Sequence, residues 1–209
     1  MRLVTAPYLE QTAGWPSTGR HILAQFDDTS VVVYQAYRPA IGHHAATHGR
    51  FGGEYSFSRM SWIKPNFLWM MYRSGWGTKP DQEVTLALRL RREGFEELLA
   101  QAVASSFGAS PFSTQESWRA ALQQSDVRLQ WDPDHDPAGQ PLARRAIQLG
   151  LRGRALRRLN DEWLLDVEDI SDFVREQRAH IATPERLLTP LERVYPVFNS
   201  ATAERLGLG

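Results

Sequence analysis

Apolar and polar positions alternate with period two over several short stretches, and each stretch predicts a half-buried strand. The clearest runs from Glu83 to Arg91: Val84, Leu86, Leu88 and Leu90 share one face, and Thr85, Ala87, Arg89 and Arg91 the other. Val127, Leu129 and Trp131 alternate with Arg128 and Gln130, and Ile147, Leu149 and Leu151 with Gln148 and Gly150. Trp163, Leu165 and Val167 make a last strand. Val31 to Tyr37 is β-branched and aromatic, a strand with Gln35 on the face of Val31 and Val33. His21 to Phe26 reads as a first strand, ended by the tight turn Asp27-Asp28-Thr29.

Between these stretches the period lengthens. Phe95, Leu98, Leu99, Ala102 and Val103 fall on one helical stripe, as do Ile170, Phe173, Val174, Gln177 and Ile181. A short helix is expected after Pro39, through His43, His44 and His48. Pro65 to Ser74 reads as a helix with proline at its first position, stopped by Gly75 and Gly77. Ser113 and Glu116 fit a capping box. Strands alternating with helices in this order predict an α+β fold, one domain with an antiparallel or mixed sheet and flanking helices. Residues 1–19, with Pro7, Gly14, Pro16 and Gly19, read as an irregular lead-in. The core is expected over 20–182, and Thr183-Pro184-Glu185 opens a helical tail over 183–209 that packs on the core.

Composition narrows the chemistry. The chain of 209 residues has no cysteine, which excludes thiol nucleophiles, Cys-ligated metals and redox pairs. Its start shows no apolar signal stretch, and its longest apolar run, Phe67 to Tyr72, is far too short for a membrane span. These features lead us to expect a full-length, soluble, cytoplasmic protein with no membrane partner. The 24 basic and 24 acidic groups cancel, but Arg supplies all the cations except Lys64 and Lys79. Charge is also segregated. Residues 29–80 hold six cations and one acid, 128–160 seven Arg and three Asp, and 161–176 seven acids and one Arg. A local surplus of this kind can focus an anion on a neutral protein.

The most unusual segment runs from Arg59 to Trp76 and interleaves aromatic residues with cations. On a helix opening at Pro65, Asn66, Trp69, Met70 and Arg73 form one stripe, with Lys64 at the helix entrance, where free N–H groups attract an anion. Arg38, Arg59 and Arg73 suit phosphate or carboxylate, and Trp62, Tyr34 and Tyr37 offer ring faces. The candidate ligand is a small phosphate-bearing molecule.

The same segment resembles the core motif of the family of domain of unknown function 4291. Matching pieces are Val33-Tyr34-Gln35-Ala36-Tyr37, Lys79 with Gln82-Glu83, Gln130-Trp131-Asp132-Pro133 and Arg145-Ala146-Ile147-Gln148-Leu149-Gly150. They span about residues 20–170. His48 and Asn66 stand where the family pattern has Gln and Ser. That resemblance carries no activity. A looser one does: a strand ending in an aromatic–polar pair, a helix, then a Ser-aromatic strand feeding a helix is similar to ADP-ribosyltransferases. It implies a split sheet, NAD as the nucleotide and transfer to a nucleotide or nucleic acid, with Gln35, Ser61 and Gln148 at the three positions that grip NAD. The third is a Glu in those enzymes, so Asp132 is the substitute carboxylate.

Two other function classes stay open. One is a non-catalytic nucleotide or nucleic-acid binding module, using the basic run Arg144 to Arg158. The other is a Mg²⁺-dependent hydrolase or nuclease using Asp132 or Glu83. No metal ligand set is assigned. His44 and His48 have zinc spacing but no Glu follows the first, and Asp132, Asp134 and Asp136 lack the glycine and final carboxylate of a calcium loop.

Overall fold

The computed structural model describes residues 3–208. Its chain begins with β1 (Thr5–Pro7), α1 (Tyr8–Thr12), β2 (Gly19–Arg20), β3 (Leu23–Ala24), β4 (Ser30–Tyr37) and α2 (Pro39–His48). The middle holds β5 (Ser61–Ile63), α3 (Phe67–Ser74), β6 (Val84–Arg91), α4 (Arg92–Gln101), β7 (Val103–Ala104) and α5 (Gln115–Gln124). Then come β8 (Val127–His135), β9 (Pro141–Leu151), α6 (Gly153–Arg158), β10 (Leu164–Asp169) and α7 (Ser171–Arg178). The chain ends with β11 (Leu188–Pro190), β12 (Arg193–Val194) and α8 (Ser200–Leu206).

The architecture is α+β, built on two sheets. One has the order β10-β6-β4, all antiparallel, with Val33 opposite Leu88. The other runs β2-β9-β8-β7, with β5 also paired to β9, and is mixed because β2 and β7 run parallel to their neighbours. The sheets meet where β5 leaves β9. There Tyr34 N donates to Lys64 O at 2.7 Å and Lys64 N donates to Tyr34 O at 3.2 Å. Alternation along the strands fills two cores. Val31, Val33, Leu86, Leu88, Ile63, Leu149 and Leu151 pack with Phe95, Leu98 and Leu99 of α4 on one side. Val32, Tyr34 and Ala87 pack with Phe67, Met70 and Met71 of α3 on the other.

The strands patterned over Val31 to Tyr37 and Glu83 to Arg91 fall within a residue or two of their expected limits, whereas those at Val127 and Ile147 run on to His135 and back to Pro141. Several expectations need correction. The lead-in is not irregular throughout, because β1 pairs antiparallel with β11, Thr5 opposite Pro190. That partner is remote in sequence, so no local pattern announces it. Thr183-Pro184-Glu185 does not open a helix. Thr183 O accepts from Arg186 N and Pro184 O from Leu187 N as successive turns, and the chain then extends into β11 and β12 before α8. The strand expected over His21 to Phe26 shrinks to Leu23–Ala24, paired with β12. Helix α5 is capped by Thr114, whose side chain accepts from Ser117 N, rather than by Ser113. Helix α3 starts at Phe67 under an Asn66 cap, whose Oδ1 accepts from Trp69 N at 2.7 Å. Pro65 therefore precedes the helix.

Close packing at α4 sets the fold's tolerance. A Cβ on Gly94 would run into the indole of Trp163, far inside van der Waals contact. Gly94→Ala should therefore destabilise the protein by about 1–3 kcal/mol through overpacking, although alanine is the better helix former. Chemical denaturation of the two proteins checks this; a variant as stable as the parent contradicts it.

Candidate functional site

The expected site residues fall on both faces of the short strand β5, and the pairing register decides which residue lies where. Ser61 is opposite Leu151, Trp62 opposite Gly150 and Ile63 opposite Leu149. Side chains opposite each other point the same way, and neighbours along a strand point oppositely. Ser61 thus shares a face with Leu149 and Leu151. Trp62 shares the other with Gly150 and, one step further in register, Lys64 shares it with Gln148. Gln35, Ser61 and Gln148 do not meet on one face.

On the first face Gln35, Ser61 and Tyr37 form a connected cluster. Gln35 Nε2 donates to Ser61 Oγ at 2.7 Å and to Trp62 O at 3.1 Å. Tyr37 OH and Ser61 Oγ share a hydrogen bond of 2.7 Å. Tyr55 is the partner the sequence did not reveal. Its ring packs on Phe51 at 4.5 Å and edge-on to Tyr37 at 5.8 Å, and Ser61 and Tyr37 act electrostatically on its hydroxyl. Burial pushes the Tyr37 hydroxyl well above the usual tyrosine range, and Tyr55 adds to this. Burial likewise raises Tyr55, while Ser61 and Tyr37 work the other way. The hydroxyls are therefore protonated hydrogen-bond groups, able both to donate and to accept.

Ser61, Tyr37 and Tyr55 line a cavity of about 370 Å³, while Gln35 is buried outside its lining and holds Ser61. Ile41 and Met60 give it apolar walls, and Arg38, Arg59, Glu54 and Asp81 stand around it. Arg38 is tied to Glu54 at 2.6 Å between exposed side chains, whereas Arg59 is exposed with no side-chain partner among the described residues. Asp81 has φ 64°, a left-handed conformation that a non-glycine residue adopts at a cost, and its N–H donates to Glu83 Oε1.

The second face holds Lys64, Gln148 and Asp132. Gln148 Nε2 donates to Asp132 Oδ2 at 2.7 Å and to Gln130 Oε1 at 3.2 Å. Trp62 lies against the bare backbone of Gly150, where a Cβ would come within 2.9 Å of the indole. Lys64 is 6% exposed, and among the described residues no hydrogen bond or ion pair reaches its ammonium. Burial pulls it from 10.5 down to about 8; Arg73 adds to the shift and Asp132 opposes it. Lys64 is not at a helix entrance, as the sequence led us to expect. That position belongs to Glu192, whose Oε1 accepts from Phe67 N at 2.7 Å.

Two aromatic candidates belong to packing. Tyr34 is fully buried with its ring edge-on to Phe67. Trp69 is buried and stacks on His135 at 5.2 Å. Half of the six arginines of the basic run are ion-paired within the fold. Arg144 is paired with buried Asp134, Arg152 with Asp126, and Arg158 with both Glu97 and Glu162. His44 and His48 stack at 4.1 Å, and among the described residues no three acids or histidines are grouped to hold a metal. No described helix is long and apolar enough to cross a membrane.

Residues 21–195 match the family described as Domain of unknown function (DUF4291). No curated protein matches the chain.

The unpartnered ammonium makes a prediction about stability. Because Lys64 titrates near 8 when folded and near 10.5 when unfolded, the unfolded chain holds more protons between those values. Stability then rises with pH through that window, and the penalty, on the order of 3 kcal/mol, is fully present below it. Lys64→Met should melt higher than the parent at pH 7, and the advantage should shrink toward pH 10. Thermal unfolding across pH tests this; a variant less stable at pH 7 contradicts it.

Proposed function

The chain belongs to the family of domain of unknown function 4291, and we propose that it binds a phosphate-bearing nucleotide in the cavity lined by Ser61, Tyr37 and Tyr55. The observation that carries this reading is the combination inside that one cavity. The linked hydroxyls of Ser61 and Tyr37 lie in its lining, and an unpaired arginine, Arg59, stands at its rim. The hydroxyls suit ribose or an amide-bearing base. Arg59, with Arg38 once Glu54 releases it, suits the phosphate, since a guanidinium fork matches phosphate oxygens. A volume of about 370 Å³ lies in the range of ligand pockets and suits a mononucleotide portion.

NAD is the candidate dinucleotide, and ADP-ribosyl transfer the reaction this reading extends to. The parted sheet, with Gln35 and Ser61 bonded beside its seam, supports the likeness to ADP-ribosyltransferases. The third position does not serve this cavity, because Gln148 and Asp132 occupy the opposite face. A carboxylate for transfer would come from Glu54 or Asp81, which line the cavity. In such a transfer the bond from C1′ to the nicotinamide nitrogen breaks, and the base leaves with the bonding pair. The acceptor oxygen bonds to C1′ and passes its proton to the carboxylate. Displacement of the third position favours, as a second reading, binding without transfer.

Calorimetry of the full chain with NAD, ADP-ribose and AMP tests the proposal. We expect micromolar binding of at least one, weakened about tenfold or more by Arg59→Ala and severalfold by Tyr37→Phe, which keeps the ring and removes the hydroxyl. Binding that ignores both substitutions, or no binding of any of the three, overturns it. Incubation with NAD labelled in the adenosine moiety separates the readings. Label on an acceptor, lost in Glu54→Gln or Asp81→Asn, marks transfer; binding without label marks the non-catalytic form.

A further inference from the structure

The chain has 24 cationic side chains, and only Lys64 and Lys79 are lysines. Arginine can fill any purely ionic role but stays charged at accessible pH. Lysine can also present a neutral amine. Lys79 makes no use of that difference. It is exposed, and its Nζ donates to Arg73 O at 2.7 Å and Tyr72 O at 3.4 Å, closing the end of α3. Lys64 differs in every respect. It directly follows β5, its side chain is largely buried at 6% exposure, and no acceptor reaches its Nζ among the described residues. The charged groups acting on it are Arg73 of α3 and Asp132 of β8. Asp132 is held by Gln148 at 2.7 Å. Trp69, one turn before Arg73 on the same helix, buries an indole N–H that also lacks an acceptor.

We propose that Lys64 is a nucleophilic amine that captures an aldehyde or ketone carrying an acidic group. Desolvation and a neighbouring cation are the two environments that free a lysine lone pair near neutral pH, and this residue has both. Arg73 is exposed with no side-chain partner of its own among the described residues, so it can receive the acidic group. Asp132 is the adjacent proton carrier. The Nζ lone pair attacks the carbonyl carbon, forming the C–N bond as the π pair moves to oxygen. Both protons of the amine pass in turn to the oxygen, with Asp132 accepting each from the nitrogen and handing it on, and the oxygen departs as water. Lysine and carbonyl compound thus give an imine and one water, with no change of oxidation state. This site is independent of the cavity on the other face, and either proposal can fail alone.

The chain's two lysines make the test direct. The full protein is incubated with glyoxylate and, separately, with pyridoxal 5′-phosphate, each with cyanoborohydride, and the adducts are located by peptide mass. We expect reduced adduct at Lys64 to accumulate at least about tenfold faster than at Lys79 at pH 7.5, with a rate that rises through pH 8. Arg73→Met should slow trapping and move that pH profile upward, which a loss of packing alone would not do. Lys79→Arg should leave it unchanged. Mapping the unaltered protein also avoids reliance on variants that fail to fold. Adduct confined to Lys79 and the N-terminal amine, or Lys64 reacting no faster than Lys79, overturns the proposal.

Discussion

The antiparallel bridge between Tyr34 and Lys64 is the joint on which the rest of the structure depends. Strand β5 is only three residues long, yet with Lys64, which follows it, it bonds to both sheets. On one side Ser61 to Ile63 pair with β9. On the other a single residue pair, with hydrogen bonds of 2.7 and 3.2 Å, reaches β4. Two bonds cannot impose a long shared register, so the sheets part beyond them and polar side chains near the ends of β4 and β5 find room. The cavity at Ser61 lies beside this parting. The joint also explains why Lys64 is buried: its backbone is committed to β4, and its side chain must lie on the crowded face packed by α3.

Around that joint the protein settles most of its buried charge internally. Asp134 and Arg144 are both nearly inaccessible and form a bidentate pair, with Arg144 Nε and Nη2 at 2.8 and 2.6 Å from Asp134 Oδ2. Arg144 also donates to Pro16 O, so the pair anchors the segment before β2. Glu192 is buried at the head of α3, and burial lifts its carboxyl well above the usual range while the Phe67 N–H works against the shift. Glu192 N in turn donates to Gln11 Oε1 and its carbonyl accepts from Trp15 Nε1, tying both ends of the chain to α3. Against this background, a lysine only 6% exposed whose ammonium has no acceptor among the described residues stands apart. Isolated buried charge is costly unless paired, and a marginally stable domain keeps few such groups.

Much of the fold was legible because its central strands carry their partners' information in their own alternation. Val84 to Arg91 and Val127 to Trp131 each bury one face, and a slip of one residue would expose it, so pattern fixes both element and register. What was not legible depended on distant pairing. Strand β1 exists only because β11 reaches it, and the turns at Thr183 replace a helix although its start signals are present. The site was legible by residue type and illegible by side. Gln35 and Ser61 were rightly suspected of belonging together, and their side chains do bond. Gln148 was grouped with them by likeness to another family's order of positions. It lies three positions from Leu151, which is opposite Ser61, and an odd offset on a strand turns it to the other face.

The same parity accounts for how one segment presents two different kinds of side chain. Successive residues Ser61, Trp62, Ile63 and Lys64 point alternately to the two faces. The face shared with the main core, reached by Ser61, is apolar except where β4 ends in Gln35 and Tyr37, so its polarity is neutral and hydroxyl-rich. The face reached by Lys64 carries Asp132, Gln130 and Gln148 from β8 and β9, so its polarity is charged and carboxamide-rich. Net charge near zero conceals this division, because the sum runs over both faces. The segregation of cations into residues 29–80 does not. That stretch supplies Arg38 and Arg59 to one side of the sheet and Lys64 and Arg73 to the other, while the acids of 161–176 go largely to β10 and α7. Charge patterning along the chain thus becomes charge patterning across the sheet, through nothing more than the two-residue repeat of a short strand.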